Sequence, residues 1–515
     1  MFMPRKSAAL ILVAIAVAGL GLLLLRRDRR SPDLPTLTVY CAAALKTPVE
    51  AAARQFSTEL GIDVTFQYGG TGTLLSQLQI AKQGDLFIAA DDGSLADAAS
   101  RGLIEEVVPI ARLHPVIAVF KGNPKAIRSL ADLSRGDVKL ALANPESASI
   151  SKVTRKLLAA QWEPFAAKAT VMKPTVTEIA ADLQLGTVDA AIVWDAMLAQ
   201  FKGLEAVEVP EFAGHHETAS AAVLGSCTQP RQALQFARFL AAPDRGGKLL
   251  EQHGFRPAGG DAWTLKPQMI LYSGGVNRLA IEKLVQQFSD REGADVTTVF
   301  NGCGILCSAM KTMTDSNNPK FPDAYYACDV CFVPPVAKQF PEAVMLTETD
   351  IVIAVPKGNS HHVNTLADLA QPGLRVGLCN AQQSTLGFMT TAILRSSNLL
   401  ESVQKNVVVE VPTADFLINQ MRAGSLDAGI VYRVNAQVQA AHFDIIPLPA
   451  DKAKAVQPFA VRHDSPNHRL SERLLAFFRR HHQSFEDAGF VWRGDPQAVP
   501  SDQLPIPEWL KQDGQ

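Results

Sequence analysis

The residues of this chain whose spacing invites chemistry are its cysteines. "FNGCGILCSAM" (300–310) and "YYACDVC" (325–331) carry four of the seven, as the close pairs Cys303/Cys307 and Cys328/Cys331. Pairs so spaced hold a metal, staple a loop or line a binding site. A second stretch is "YGGTGTLL" (68–75), where Gly69, Gly70 and Gly72 let backbone approach a ligand and Thr71 offers a hydroxyl. No GxSxG, HExxH or P-loop pattern is present, and no acid, base and nucleophile stand out as an enzyme's set. No catalytic residue, metal site or cofactor is expected. The histidine pairs at 215–216, 361–362 and 481–482 read as loop and helix residues, and Tyr325 and Tyr326 as packing.

The surrounding chain must decide among those roles. Its 515 residues, 47% hydrophobic, suffice for several packed domains. A formal charge of −2 gives no electrostatic case for nucleic acid. Residues 8–25, "AALILVAIAVAGLGLLLL", form an apolar run long enough to cross a bilayer. The run continues past the small residues at 16–18, so an uncleaved N-terminal anchor is expected, with a linker to residue 36. Arg26, Arg27, Arg29 and Arg30 outnumber Arg5 and Lys6, which by charge alone favours a cytoplasmic body.

Beyond the anchor the sequence is written twice. "LTVYCAAALKTPVEAAARQF" (37–56) aligns with "MILYSGGVNRLAIEKLVQQF" (269–288), and "YGGTGTLL" with "FNGCGILC" (300–307). "VFKGNPKAIRSLADL" (119–133) matches "VPKGNSHHVNTLADL" (355–369), and "GTVDAAIVWDA" (186–196) meets "GSLDAGIVYRV" (424–434). Repeats this long are duplicated domains, expected at 37–265 and 266–496 with a tail at 497–515. Within each copy short apolar runs ("LTVYCA", "DVTFQY", "DLFIAA", "VIAVFK", "VKLALA", "AAIVWD") alternate with helical patterns that end at glycine. The fold class is therefore α/β, with mostly parallel sheets and ligands bound at the carboxyl ends of strands.

The order "LTVYCAAALKTPVEAAARQFSTELGIDVTFQYGGTGTLLSQL", "GDLFIAADD", "SLADL", "DAAIVWDA" resembles the periplasmic molybdate-binding proteins, type 2 solute-binding proteins of ABC transporters. The resemblance covers nearly all of the first repeat and, more weakly, the second. It implies two tandem domains, each with two α/β lobes closing over a small oxyanion, and an ABC permease as partner. It also places the body in the periplasm, tethered to the inner membrane, against the charge count. Two other roles remain open: a ligand sensor of the same fold, and a metal or redox protein built on the cysteine cluster.

For the first repeat the resemblance implies a site from Ala43, Ala44, Gly70, Thr71, Gly72, Ser147, Ala148, Ser149 and Trp194. Ala44 and Trp194 replace hydroxyl residues of the family, and Asp195 is an awkward neighbour for an anion. For the second repeat the candidates are Ser273, Gly274, Asn301, Gly304, Ser384, Thr385, Tyr432 and Arg433. Cys303 aligns with Thr71, and "DVCFV" (329–333) is matched to the strand "DLFIA" (85–89). An oxidising compartment favours disulfides, and one arm of the cluster departs from the CxxC of zinc sites. A Cys303–Cys328 disulfide is thus expected ahead of zinc, with Cys307 and Cys331 either bridged or free. Cys41, Cys227 and Cys379 read as small core residues.

Overall fold

The computed structural model describes residues 35–313, 318–449, 453–507 and 510. The apolar run at 8–25 lies outside them. Among the described residues no helix is long and apolar enough to cross a membrane. The chain forms two compact units. Of the described residues, the first takes those up to 103, 112–236 and 249–256; the second takes 104–111, 237–248 and those from 257.

In the first unit, Thr36–Ala42 pairs in parallel with Asp63–Gly69 on one side and Leu86–Ala89 on the other. Glu217–Leu224 runs antiparallel beside Leu86–Ala89. A separate sheet is ordered Val171–Lys173, Leu140–Ala143, Ala190–Trp194, Pro115–Phe120, Leu204–Val207. Its first three strands are parallel and its last two antiparallel to their neighbours. The expected parallel core is there, but later strands return antiparallel, so both sheets are mixed. Leu86–Ala89 and Leu140–Ala143 are buried throughout, as strands covered on both faces must be.

The second unit repeats the plan. Gln268–Gly274 pairs in parallel with Asp295–Asn301 and with Ala324–Tyr326. Glu342–Pro356, a 15-residue strand, serves two sets of neighbours. Its first part pairs with Lys454–Val461, and its last with Ala428–Tyr432 and Phe443–Pro447. Val499–Pro500 also pairs with it, at Glu342 and Ala343.

The duplication reaches individual residues. Helix Lys46–Leu60 buries Val49, Ala52, Ala53 and Phe56 on one face and stops at Gly61 with φ 65°. Helix Arg278–Glu292 buries Ile281, Leu284, Val285 and Phe288 and stops at Gly293 with φ 64°. The three- and four-residue spacing makes one apolar stripe, and only glycine takes the left-handed turn without cost.

One alignment is corrected. "DVCFV" is not a strand: Val330–Phe332 is a 3₁₀ turn capped by Asp329, whose carboxylate accepts from the Cys331 amide at 3.2 Å. The strand is Ala324–Tyr326, because Tyr272 faces Tyr325 where Tyr40 faces Phe87. Asp329 thereby takes the place of Asp91, which caps its own helix through Ser94. Cys328 takes that of Ala90.

Candidate functional site: two clefts at strand ends

In the first unit the strand ends converge on one cavity. It is lined by Ala42, Ala43, Ala44, Gly69, Gly70, Thr71 and Ala90 from one sheet's side, and by Ala148, Ser149, Ile150, Thr175 and Val176 from the other's. It encloses about 10 Å³, the room of roughly one water molecule. The lobes of this unit therefore stand closed.

Helix capping marks the cavity as polar. Helix Asp92–Ser100 is capped by Asp91, and Val176–Gln184 by a Thr175–Glu178 capping box. Thr71–Ala81 and Ser149–Leu158 begin at the cavity after Gly70 and Ala148, neither of which supplies a side-chain cap. First-turn amides have no acceptor within their helix, so these two starts keep donors for something else. In the closed form one acceptor comes from the opposite lobe: the Ser147 carbonyl takes the Gly72 amide at 2.9 Å and the Thr73 amide at 3.4 Å. Two more donors are buried without partners, Thr71 Oγ1 and Trp194 Nε1.

Of the nine expected residues, six line the cavity: Ala43, Ala44, Gly70, Thr71, Ala148 and Ser149. Gly72 and Ser147 form the bridge between lobes instead, and the Ser147 hydroxyl donates to its own loop at Asn144. Trp194 is fully buried at the end of its strand, outside the lining. Asp195 is no threat to an anion. Its carboxylate accepts from the His114 and Ala196 amides and from Arg256 at 2.8 Å. Thr175 and Val176 were missed by sequence reasoning, although "TVTE" is a visible capping box.

The second unit has the corresponding cavity, also about 10 Å³, with different chemistry. Gly275, Val276, Gly302, Cys328, Ser384, Thr413, Ala414, Asp415, Tyr432 and Asn435 line it, with Pro412. Of the expected residues only Ser384 and Tyr432 are among them. Ser273 is buried and bonded to Gly274 and Asn277. Asn301 caps the Gly302 amide at 2.9 Å. Gly304 packs against the Gln382 carbonyl so closely that no Cβ fits, and Thr385 opens its helix, buried. Arg433 does not face the cleft: it pairs with Asp350 at 3.0 Å, half-exposed.

The expected Cys303–Cys328 disulfide is absent; both are free thiols. Their proximity is as expected, with the sulfurs 3.0 Å apart and buried. Burial pushes the Cys303 thiol up, but hydrogen bonds from Cys328, the Tyr325 hydroxyl and the Cys328 amide outweigh it and bring it down. Cys328, donating to Cys303 and buried, is pushed well up. Cys307 contacts the Phe332 carbonyl at 3.2 Å. Cys41 and Cys379 are core residues, whereas Cys227 is half-buried and donates to Asp85. Among the described residues no three histidines, cysteines or acids are grouped to hold a metal. Asp415 brings a carboxyl to the cleft, raised by burial despite Arg278 and the Asn435 amide at 2.8 Å.

Paired α/β lobes with a polar cleft at the strand ends, occurring twice, define a binder of small solutes. The chain belongs to the family described as bacterial extracellular solute-binding protein, whose signature matches residues 37–256 and again 270–491. It is a solute-binding protein of the ABC-transporter type. Molybdate-binding protein ModA of Mycobacterium bovis is 30% identical over 254 residues, 47% of this chain and 94% of that one. A binding protein of Haemophilus influenzae is 29% identical over 226 residues, 43% of this chain and 91% of its own. Among solved structures, the periplasmic molybdate-binding protein of Azotobacter vinelandii is 18% identical with a TM-score of 0.36. It covers 42% of this chain and 98% of its own. Iron-bound HitA from Pseudomonas aeruginosa is 20% identical with a TM-score of 0.37, covering 43% and 86%.

Proposed function

We propose that the first cleft captures a small tetrahedral oxyanion of the molybdate class, outside the cytoplasmic membrane, for delivery to an ABC permease. The observation that carries this reading is the set of donors left over at one cavity. Thr71 Oγ1 is buried at the cavity without a partner, and two helices start there without a side-chain cap. Buried polar groups are nearly always satisfied, so unpaired donors around a cleft call for an acceptor that arrives with the ligand. Helix N-termini add positive potential, which suits an anion. The similarity to molybdate-binding relatives supports the choice of oxyanion. The second cleft is a poorer oxyanion site, because the Asp415 carboxyl lines it and Arg433 is turned away.

Isothermal calorimetry with molybdate, tungstate, sulfate and phosphate tests this. Binding of at least one, at one site per chain, is expected. No heat with any of the four overturns the reading.

A further inference from the structure

We propose that the second cleft is a dithiol site for a small, uncharged, thiophilic oxyacid of a trivalent p-block element, the class to which arsenite belongs. The sulfurs of Cys303 and Cys328 bond directly to its central atom. The inference is independent of what the first cleft binds.

The first ground is position. Cys303 and Cys328 occupy the places that Thr71 and Ala90 occupy in the first unit, and both of those residues line its cavity. The thiols therefore stand where the duplicated fold presents groups to a ligand. Cys328 itself lines the second cavity, and Cys303 is in contact with it at 3.0 Å.

Space around the sulfurs points the same way. A Cβ on Gly274 would fall well within 3.0 Å of the Cys328 sulfur and 3.2 Å from that of Cys303. The residue at this place in the first unit is Ala42, opposite Gly69 as Gly274 is opposite Asn301. Glycine stands where the dithiol needs the room.

Geometry and charge then select the guest. A tetrahedral zinc with ~2.3 Å bonds holds its sulfurs about 3.8 Å apart and needs four donors. Here the bite is 3.0 Å, and no three metal-binding side chains are grouped among the described residues. A linear two-coordinate metal would require sulfurs on opposite sides of it. A pyramidal centre, with bond angles near a right angle, fits a narrow bite. Asp415 disfavours an anion but can accept from a neutral hydroxyl acid, and the Tyr432 hydroxyl at the same cavity is buried without a partner. The cavity of about 10 Å³ leaves room for one remaining hydroxyl.

The chemistry balances without an oxidant. Two sulfur–arsenic bonds form and two arsenic–oxygen bonds break. Each departing hydroxide takes a thiol proton and leaves as water, and the arsenic stays trivalent. The one hydroxyl kept on arsenic faces Asp415 and Tyr432. Cys303, at the start of helix Cys303–Thr312 and accepting the Cys328 amide, attacks first as the better thiolate.

The test uses the full chain, reduced and free of oxygen, with arsenite as the probe. Intact mass spectrometry should show one arsenic per chain. Peptide mapping should show Cys303 and Cys328, and not Cys41 or Cys379, protected from alkylation by arsenite under native conditions. Cys303→Ala and Cys328→Ala should each weaken the adduct at least tenfold. Absence of an adduct, or one that survives both substitutions, overturns the proposal. So does protection of other cysteines in the unsubstituted protein, which needs no variant to fold.

Discussion

Gly72→Ala separates closure of the first cleft from folding. Gly72 is the second residue of helix Thr71–Ala81, and its added Cβ would come within 3.0 Å of the Glu146 carbonyl oxygen across the cleft. The same Cβ would stand 3.1 Å from the Glu146 carbonyl carbon and 3.3 Å from the Ser147 Cα. All three atoms are backbone, so no rotamer change relieves the clash. Ordinary contact at about 3.5 Å requires the opposite loop to retreat by about 1 Å. The bridges from Gly72 and Thr73 to the Ser147 carbonyl, 2.9 and 3.4 Å long, then leave hydrogen-bonding range. At ~0.5–1.5 kcal/mol each, their loss costs the closed form about 1–3 kcal/mol, or roughly 5- to 150-fold in affinity. In the open form the alanine is harmless. It restricts the unfolded chain and favours helix, worth about 0.4–1 kcal/mol of stability. Calorimetry with molybdate, with Trp194 fluorescence as a monitor of closure, should show the loss, while the ligand-free melting temperature holds or rises. Unchanged affinity would refute the reasoning. A melting temperature lowered by several degrees would show that the bridge belongs to the fold rather than to closure.

Thr71→Val should weaken oxyanion binding by about tenfold or more, since a charge-assisted hydrogen bond is worth ~1.5–3 kcal/mol. Because Thr71 Oγ1 is buried without a partner, the same change should leave the ligand-free melting temperature level or higher. Asp329 is held by burial at a pKa of about 6 against an ordinary 3.8. The folded state thus binds more protons than the unfolded between those values. Stability of the second unit should fall by roughly 3 kcal/mol as pH rises from about 4 to above 6, and Asp329→Asn should remove that slope in urea melts. Glu292 is buried between Arg473, at 2.6 Å, and Arg238. Glu292→Gln strands two buried cations and should cost about 3–5 kcal/mol, measured by chemical denaturation; a loss under 1 kcal/mol would show that water reaches them.

Local pattern determined much of this protein. Short apolar runs placed the strands at 36–42, 63–69, 86–89 and 190–194, and apolar spacing ending at glycine placed the helix Lys46–Leu60. Matching text in the two halves gave the duplication. Glycines after a strand gave the loop at Gly70 and Thr71 that does line a cavity. The strands, the helix and the loop were legible because each rests on neighbours within a few residues, and the duplication because its two copies kept the same text.

What the sequence left to the tertiary structure is direction and register. Arg433 and Asp350 are 83 residues apart, and only the pairing of Glu342–Pro356 with Ala428–Tyr432 brings them together, turning the arginine from the cleft. The Ser147 hydroxyl turned to its own loop while its carbonyl crossed the cleft, a choice no residue type announces. "DVCFV" has the composition of a strand, but the parallel partner of Gln268–Gly274 is Ala324–Tyr326, and that register sets Cys328 at a strand end beside Cys303. Composition fixes which segments extend; which backbone amides meet which carbonyls, and so where each side chain points, is decided by packing the whole unit at once.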